Sequence, residues 1–518
     1  MPDPEQDGAP TPGVGTPPRD VARRAVQGAG WLFGRRLATG ILTLAATAIL
    51  ARSLAPAAFG LVALAQVLMR FLSVVDMSGF GLYVIADRDA GREDRIQAAF
   101  WLNILSSTVI VLACAPAVPL IARFYGEPEL TLLMSAIAAR YWIGQLAVIP
   151  DALLGRSLEY KTLVIRDTAR DVLASAGSVA LALAGFGAWS LILPSLAIAP
   201  FQVALAFRLA RWAPRPALYV RHWPRVGGFS ARLMGTEFVN TVIAEGDTLV
   251  IGKFLGSGAL GIYNIAWQTA NLVSRNVSGI VGKMAMPVLC AVAGEPDRLR
   301  AAYYRILGML SLICTPALVG LFVVADEFVL TLYGPRWAGS VPVLRCLLIY
   351  AVRRAVGAPA GVMLNVLGRP DIGLKYSLIQ LPCYVISILY GVRYGILGVA
   401  IATAAVRTVF GIILFKIVAI QLGSRFRDTL GVLAPTFTAS CLMGLVVVLA
   451  GFQLEAWCNG TAAILGFKIL IGCVAYPTIL ALLPGNHISE LTALIGSLMK
   501  RTWSPQRAAG DPATLASR

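Results

Sequence analysis

Apolar runs of about twenty residues recur from residue 33 to residue 483, and that recurrence constrains the fold more than any motif. A helix crossing the hydrocarbon of a bilayer needs roughly 20 apolar residues. Every backbone polar group inside lipid must be satisfied within the protein, so such runs are helices. No soluble core could hide them: 57% of the 518 residues are hydrophobic and 14% charged, against roughly 45–50% and about 25% in soluble domains. The runs predict fourteen spans, at 33–53, 60–84, 98–119, 130–150, 163–184, 188–209, 229–252, 260–284, 304–325, 341–365, 373–392, 396–419, 431–452 and 461–483. The expected class is an all-α integral membrane protein with no soluble catalytic domain.

A net charge of +17 raises nucleic acid as a partner, but that footprint is a clustered basic face with aromatic platforms. Here the cations lie in short segments between apolar runs, as membrane topology requires. With the N-terminus inside, only Arg52, Arg123, Lys253, Arg336 and Arg393 fall in outer segments, while most inter-span cations fall inside. Cytoplasmic loops carry the excess of Lys and Arg, so both termini are expected in the cytoplasm and the number of spans is even. The eight cysteines show no CxxC spacing and read as small buried residues. With only His222 and His487, no metal or cofactor site is expected. The segment GDTLVIGKF at 246–254 has one residue too many for a phosphate-binding loop and lacks Ser or Thr after Lys253.

Residues 1–20, rich in Pro, Gly and polar residues, are expected to be a disordered tail. A cleaved signal ending near Ala46 and Ala48 is the alternative, disfavoured because an internal repeat needs the first span as a permanent helix. That repeat aligns Arg52, Leu54, Ala58, Gly60 and Ala65 with Lys253, Leu255, Ala259, Gly261 and Ala266 at a constant offset of 201 residues. Both copies sit between the first two spans of a six-helix block. Six is even, so the blocks share one orientation and are related by a pseudo-two-fold axis along the membrane normal. The expected organisation is a six-helix lobe at 21–210, a basic cytoplasmic linker at 211–228, a second six-helix lobe at 229–420, two extra spans within 421–485, and a cytoplasmic tail at 486–518. Two similar lobes meeting at a midplane site form a frame for alternating access.

Four spans, the first pair of each lobe, carry polar stripes. The eighth has Asn264, Gln268, Asn271, Arg275 and Ser278 at spacings of four, three, four and three, which is one helical face. The first has Arg36, Thr39, Thr43 and Thr47, and the second Gln66, Arg70 and Ser73. The seventh has Glu237, Thr241, Glu245 and Thr248 on one face, with Asn240 and Asp247 nearby. Interhelical packing explains Ser, Thr, Asn and Gln as well as a cavity does. Packing does not need a guanidinium, and an ionised group in hydrocarbon costs a few kcal/mol or more. Arg70 and Arg275, with Arg36, Gln66, Asn264, Gln268, Asn271 and Arg353, are therefore the candidate contacts to a substrate head group in a hydrated cavity. Arg353 and Arg354 are adjacent and point about 100° apart, so one of them is expected to face away. Guanidinium forks match phosphate oxygens, which favours an anionic, phosphate-bearing cargo. Glu237, Glu245 and Asp247 leave a cationic cargo open, and they are the candidates for coupling to Na⁺ or H⁺.

Three stretches resemble a known family. LARSLAPAAFG at 50–60 resembles the turn after the first helix in polysaccharide transporters of the multidrug/oligosaccharidyl-lipid/polysaccharide exporter superfamily. DMSGFG at 76–81 resembles the end of their second helix, and DTLVIGKFLG at 247–256 followed by LGIY at 260–263 resembles the second-lobe counterpart. After Gly81 the chain departs from that pattern, with LYVIADRD in place of small and polar residues. The resemblance implies a flippase of the bacterial inner membrane that moves an undecaprenyl-diphosphate-linked oligosaccharide to the periplasmic leaflet for exopolysaccharide or lipopolysaccharide biosynthesis. It further implies that the two extra helices offer the lipid tail a groove, and that a polysaccharide polymerase and co-polymerase are partners. Two rivals stand beside it. One is a multidrug cation antiporter of the same superfamily. The other is a membrane polysaccharide polymerase or ligase, which should carry a long periplasmic loop that this sequence lacks.

Overall fold

The computed structural model describes residues 39–77, 79–86, 93–156, 160–457 and 460–483. The two expected tails and Arg36 lie outside them. Among the described residues every regular element is helical. A first half runs α1 (Thr39–Ser53), α2 (Pro56–Met77), α3 (Phe80–Ala86), α4 (Glu93–Cys114), α5 (Ala117–Tyr125), α6 (Glu129–Gln145), α7 (Val148–Arg156), α8 (Tyr160–Leu183) and α9 (Leu193–Ala210). A second runs α10 (Trp223–Phe254), α11 (Gly256–Ala291), α12 (Pro296–Val323), α13 (Ala325–Leu332), α14 (Ser340–Val366), α15 (Pro370–Gly391) and α16 (Gly395–Gln421), followed by α17 (Phe426–Trp457) and α18 (Thr461–Leu482).

Local chemistry marks the boundaries. Pro194, Pro224, Pro296 and Pro370 stand in the first turns of α9, α10, α12 and α15, where a missing N–H costs nothing because those donors lack helical partners. α5 stops at Gly126, whose φ of 74° is left-handed. Among the described residues seven stretches are long and apolar enough to cross a membrane, or eight if α6 and α7, bent by 45°, make one span. That is fewer than the runs in the sequence suggest, for two physical reasons. The 51-residue stretch Asp371–Gln421 is a hairpin: α15 packs on α16, and the backbones of Gly391 and Gly398 touch at the turn. Moreover the described parts of α1 and α2, Thr39–Ser53 and Pro56–Phe71, are apolar but shorter than a span.

Segment 211–222 lies over the start of α4 instead of hanging free. Trp101 Nε1 donates to the Arg215 carbonyl at 2.7 Å, and Gln97 Oε1 accepts from the Arg215 N–H at 2.9 Å. Trp212 Nε1 donates to Glu93 at 3.0 Å, and α10 begins at Trp223, inside the expected linker. At the other end, α17 and α18 pack on α12, α13 and α16. Lys468 of α18 forms an ion pair with Glu327 of α13. The pair is accommodated because α17 presents Gly451, where a Cβ would come within 2.5 Å of Lys468 Cε. Tyr476 donates to the Leu312 carbonyl at 3.0 Å.

The halves meet chiefly where α2 lies along α10 and α11. At the α2–α11 crossing a Cβ on Gly60 would stand 1.8 Å from the Ser257 carbonyl oxygen, and one on Gly261 would stand 1.8 Å from that of Pro56. Gly60 and Gly261 are mates in the repeat, and so are Pro56 and Ser257. Each glycine therefore rests on the carbonyl of its mate's neighbour, the reciprocity that a two-fold relation produces. Small residues that let backbones approach this closely are a main source of helix association in lipid.

Because the obstructing atoms are backbone, Gly60→Ala or Gly261→Ala is expected to force the crossing apart and cost about 1–3 kcal/mol, the range for overpacking. Gly258→Ala, where a Cβ meets nothing within 4 Å, is expected to be neutral or slightly stabilising. Thermal unfolding of the detergent-solubilised variants measures the contrast.

Candidate functional site

On α2 every residue from Phe59 to Ala65 is buried, whereas Gln66 and Arg70 are exposed. One turn separates the two, so they share a face. Arg70 forms an ion pair with Glu245 of α10, and the side chains are 56% and 15% exposed. The pair joins the first half to the second. It lies roughly 15 Å inward of the glycine crossing, at 1.5 Å per residue along α2. The residues at the crossing are buried, and Arg70 beyond them is exposed.

The stripe of α11 bonds within its own helix and to α14. Gln268 donates to Asn264, and one turn further Asn271 donates to the Trp267 carbonyl at 2.8 Å. Arg354 of α14 donates to Asn271 Oδ1. Its neighbour Arg353 is placed differently: it lies over the Tyr350 ring at 5.3 Å and against Gly357 and Gly411, inside the second half. Of the adjacent arginines, the exposed Arg354 is thus the one that joins the α11 stripe. Arg275 and Glu237 belong to α11 and α10, but their side chains lie outside the described residues. Among the described residues no three His, Cys, Asp or Glu side chains gather as a metal would need.

Asp247, two residues beyond Glu245, has a different environment. Its side chain is 2% exposed and faces Arg407 of α16, 4% exposed, at 3.8 Å. Tyr263 donates to Asp247 at 2.6 Å, and the Thr248 N–H donates to it at 2.9 Å. Arg407 donates to Tyr384 at 2.7 Å and to the Ile243 and Ala244 carbonyls. Its guanidinium carbon lies 4.8, 5.0 and 5.3 Å from the rings of Tyr384, Trp267 and Tyr350, within the range of cation–π attraction. Trp267 is itself stacked between Tyr263 and Tyr350, with interplanar angles of 10°. This cage ties α10, α11, α14, α15 and α16 together. Sequence reasoning marked Asp247 beside the stripe of α10 but missed the cage. Its one local signal is the Tyr263–Trp267 pair, one turn apart on α11.

Removing one partner of a buried ion pair strands the other, at a cost of about 3–5 kcal/mol. Asp247→Ala and Arg407→Ala are therefore each expected to destabilise the protein by that order, while the Asp247→Leu/Arg407→Met double variant loses less than either. A double variant less stable than both single ones, by thermal denaturation in detergent, would show that the pair is not one unit.

The fold is shared with the lipid II flippase MurJ in its inward closed conformation, with a TM-score of 0.71 over 90% of this chain and 99% of that one at 13% identity. A MATE transporter in complex with MaL6 aligns with a TM-score of 0.51 over 77% and 96% at 17% identity. By sequence, the chain is 27% identical to the teichuronic acid biosynthesis protein TuaB of Bacillus subtilis over 78% of its length and 84% of the relative's. It is 25% identical to the lipopolysaccharide biosynthesis protein WzxC of Escherichia coli over 82% and 89%. The family model described as "Polysaccharide biosynthesis protein" matches residues 49–342, more than half of the sequence. This multi-pass, all-helical membrane protein belongs to the polysaccharide biosynthesis protein family.

Proposed function

We propose that the chain is a flippase carrying an undecaprenyl-diphosphate-linked oligosaccharide across the inner membrane by alternating access. It supplies exopolysaccharide or lipopolysaccharide synthesis, with a polymerase and co-polymerase as downstream partners. The named roles of TuaB, WzxC and the succinoglycan transport protein ExoT of Rhizobium meliloti support the substrate class. In this reading fourteen spans form lobes at 21–210 and 229–420, joined by 211–228, with the two added helices within 421–485 and both termini in the cytoplasm. The reciprocal contact of Gly60 and Gly261 supports the two-fold arrangement.

The observation that carries the mechanism is the Arg70–Glu245 pair between the halves. A guanidinium whose carboxylate partner belongs to the opposite half exchanges that partner for a diphosphate, which offers more acceptor oxygens in matching geometry. Glu245 holds the empty cleft together and keeps its charge balanced. Cargo takes its place, and the halves are then free to move relative to each other. Gln66, Asn264, Gln268, the Asn271–Arg354 pair and Arg275 extend the polar surface along the head group. Arg36 is assigned to the same surface from its position in the first span, whereas Arg353 is turned into the second half.

Of the three acids considered for coupling, Asp247 is committed to an immobile guanidinium. Glu245 is the one whose partner changes, so the coupling H⁺ or Na⁺ acts there, with Glu237 nearby on α10. A multidrug antiporter built on the same fold would instead use these acids to bind the drug.

Arg70→Ala combined with Arg354→Ala is expected to lower surface polysaccharide by at least tenfold, the effect of losing charge-assisted bonds of about 1.5–3 kcal/mol each, with membrane abundance unchanged. Normal polysaccharide output from an abundant double variant would remove both arginines from the site. Drug efflux with unaltered polysaccharide would select the antiporter. In proteoliposomes, transport should respond to an imposed pH or Na⁺ gradient, and Glu245→Gln should abolish the response. Transport indifferent to both gradients would end the coupling assignment.

A further inference from the structure

We propose that Arg52 and Lys253 form a twin latch that shuts the two halves on the face bearing the α1–α2 and α10–α11 turns, and that its release opens the cleft to that side. Arg52, at the end of α1, reaches across to the second half: its Nε donates to the Leu332 carbonyl at 3.0 Å and its Nη2 to that of Thr331. Lys253, at the end of α10, reaches the opposite way, donating to the Phe124 carbonyl and lying 3.9 Å from the centre of the Phe124 ring. The acceptors lie in the last turns of α13 and α5. The final carbonyls of a helix have no partner within it, and they form the negative end of its dipole. A cation there satisfies both needs.

The two contacts are one contact made twice. Arg52 and Lys253 are repeat mates at an offset of 201 residues. Their acceptors also correspond: Phe124-Tyr125-Gly126 and Leu332-Tyr333-Gly334 are equivalent at an offset of 208 residues. Both glycines have positive φ, 74° and 95°, and each stands just past the end of its short helix, although Gly126 is a left-handed cap and Gly334 is extended in ψ. A cation on either half thus grips the same helix end on the other, as isologous contacts do. An incidental surface hydrogen bond has no reason to recur at the mate position.

The setting is that of a gate. Beside the latches lies the Gly60–Gly261 crossing, and Trp337 of the second half donates to the Ala51 carbonyl of α1 at 2.8 Å with its ring edge-on to Phe59 at 5.3 Å. The buried stretch Phe59–Ala65 makes the plug about two turns thick, and beyond it the cleft begins at Gln66. Both cations are exposed, so water replaces their carbonyl partners at little cost. The closed and open states therefore stay near balance, as a cycling gate requires.

This inference rests on the transporter reading, but its test does not involve the cargo. A Gln66→Cys reporter is placed in the full-length protein in intact cells, and a membrane-impermeant maleimide is added outside. Labelling of the introduced thiol is followed by the mass of its peptide, which separates it from the native cysteines. Arg52→Gln and Lys253→Gln should each speed labelling by similar factors, and the double variant by about tenfold, the combined worth of two cations at helix C-termini. Arg52→Lys and Lys253→Arg should restore slow labelling. Gly60→Ala opens the same plug by a different route and shows that an open plug is detected. Should Gly60→Ala speed labelling while the double Gln variant labels like the parent, the latch is refuted. Strongly unequal single variants would refute its two-fold character. If the double variant fails to reach the membrane, the two single variants decide between these outcomes. Loss of polysaccharide with unchanged labelling would count against the latch and leave the flippase reading standing.

Discussion

Two glycine positions determine how near the halves of this protein come. In lipid no hydrophobic force draws helices together, because the tails are as apolar as the side chains. What remains is close fit and polar contact, and at the α2–α11 crossing the fit is backbone against backbone. A side chain at either position would hold the helices apart and let water or lipid between them. The cleft, its floor at Gln66 and the ion pair beyond it all depend on that approach.

The charges in the helical interior fall into two kinds, and the difference bears on mechanism. Arg407 with Asp247, and Lys468 with Glu327, are pairs within one half. The first is buried and held by several partners, the second is mostly enclosed, and each lies within the body that contains it. Arg70 with Glu245 joins the two halves, and its arginine is more than half exposed. Breaking a pair of the first kind strands a charge in a dry place. Breaking the second frees an arginine that already reaches the surface, while Glu245 stays mostly enclosed. A moving part needs the second kind, and a rigid body the first.

The helices were legible because the bilayer imposes their length: from the second apolar run on, each lies on a helix or a bent pair. The bends were less so. The one between α6 and α7 lies just before Pro150 in the first turn of α7, whose ring and missing N–H interrupt the helix at Leu146. Arg70, Glu245, Asp247 and Arg407 were each visible as charges out of place in apolar runs. Their pairing was not, since Arg70 and Glu245 are 175 residues apart and no local pattern records which acid a distant arginine meets. The choice between Arg353 and Arg354 turns on helix rotation, which the neighbouring residues leave ambiguous and only the docking of α14 on α11 and α16 decides. The repeat was legible in a handful of small residues because those are the ones whose size the crossing dictates.

The attachment of the last two helices has a mechanical consequence. α17 and α18 are fastened to α12, α13 and α16, with Lys468 and Glu327 as an internal rivet, so they travel as passengers of one body only. If the halves pivot as the alternating-access proposal requires, the distance between these helices and the other body changes with every turn of the cycle. A polyprenyl chain lodged there would be gripped and released in time with its sugar, with no contact dedicated to linking the two events.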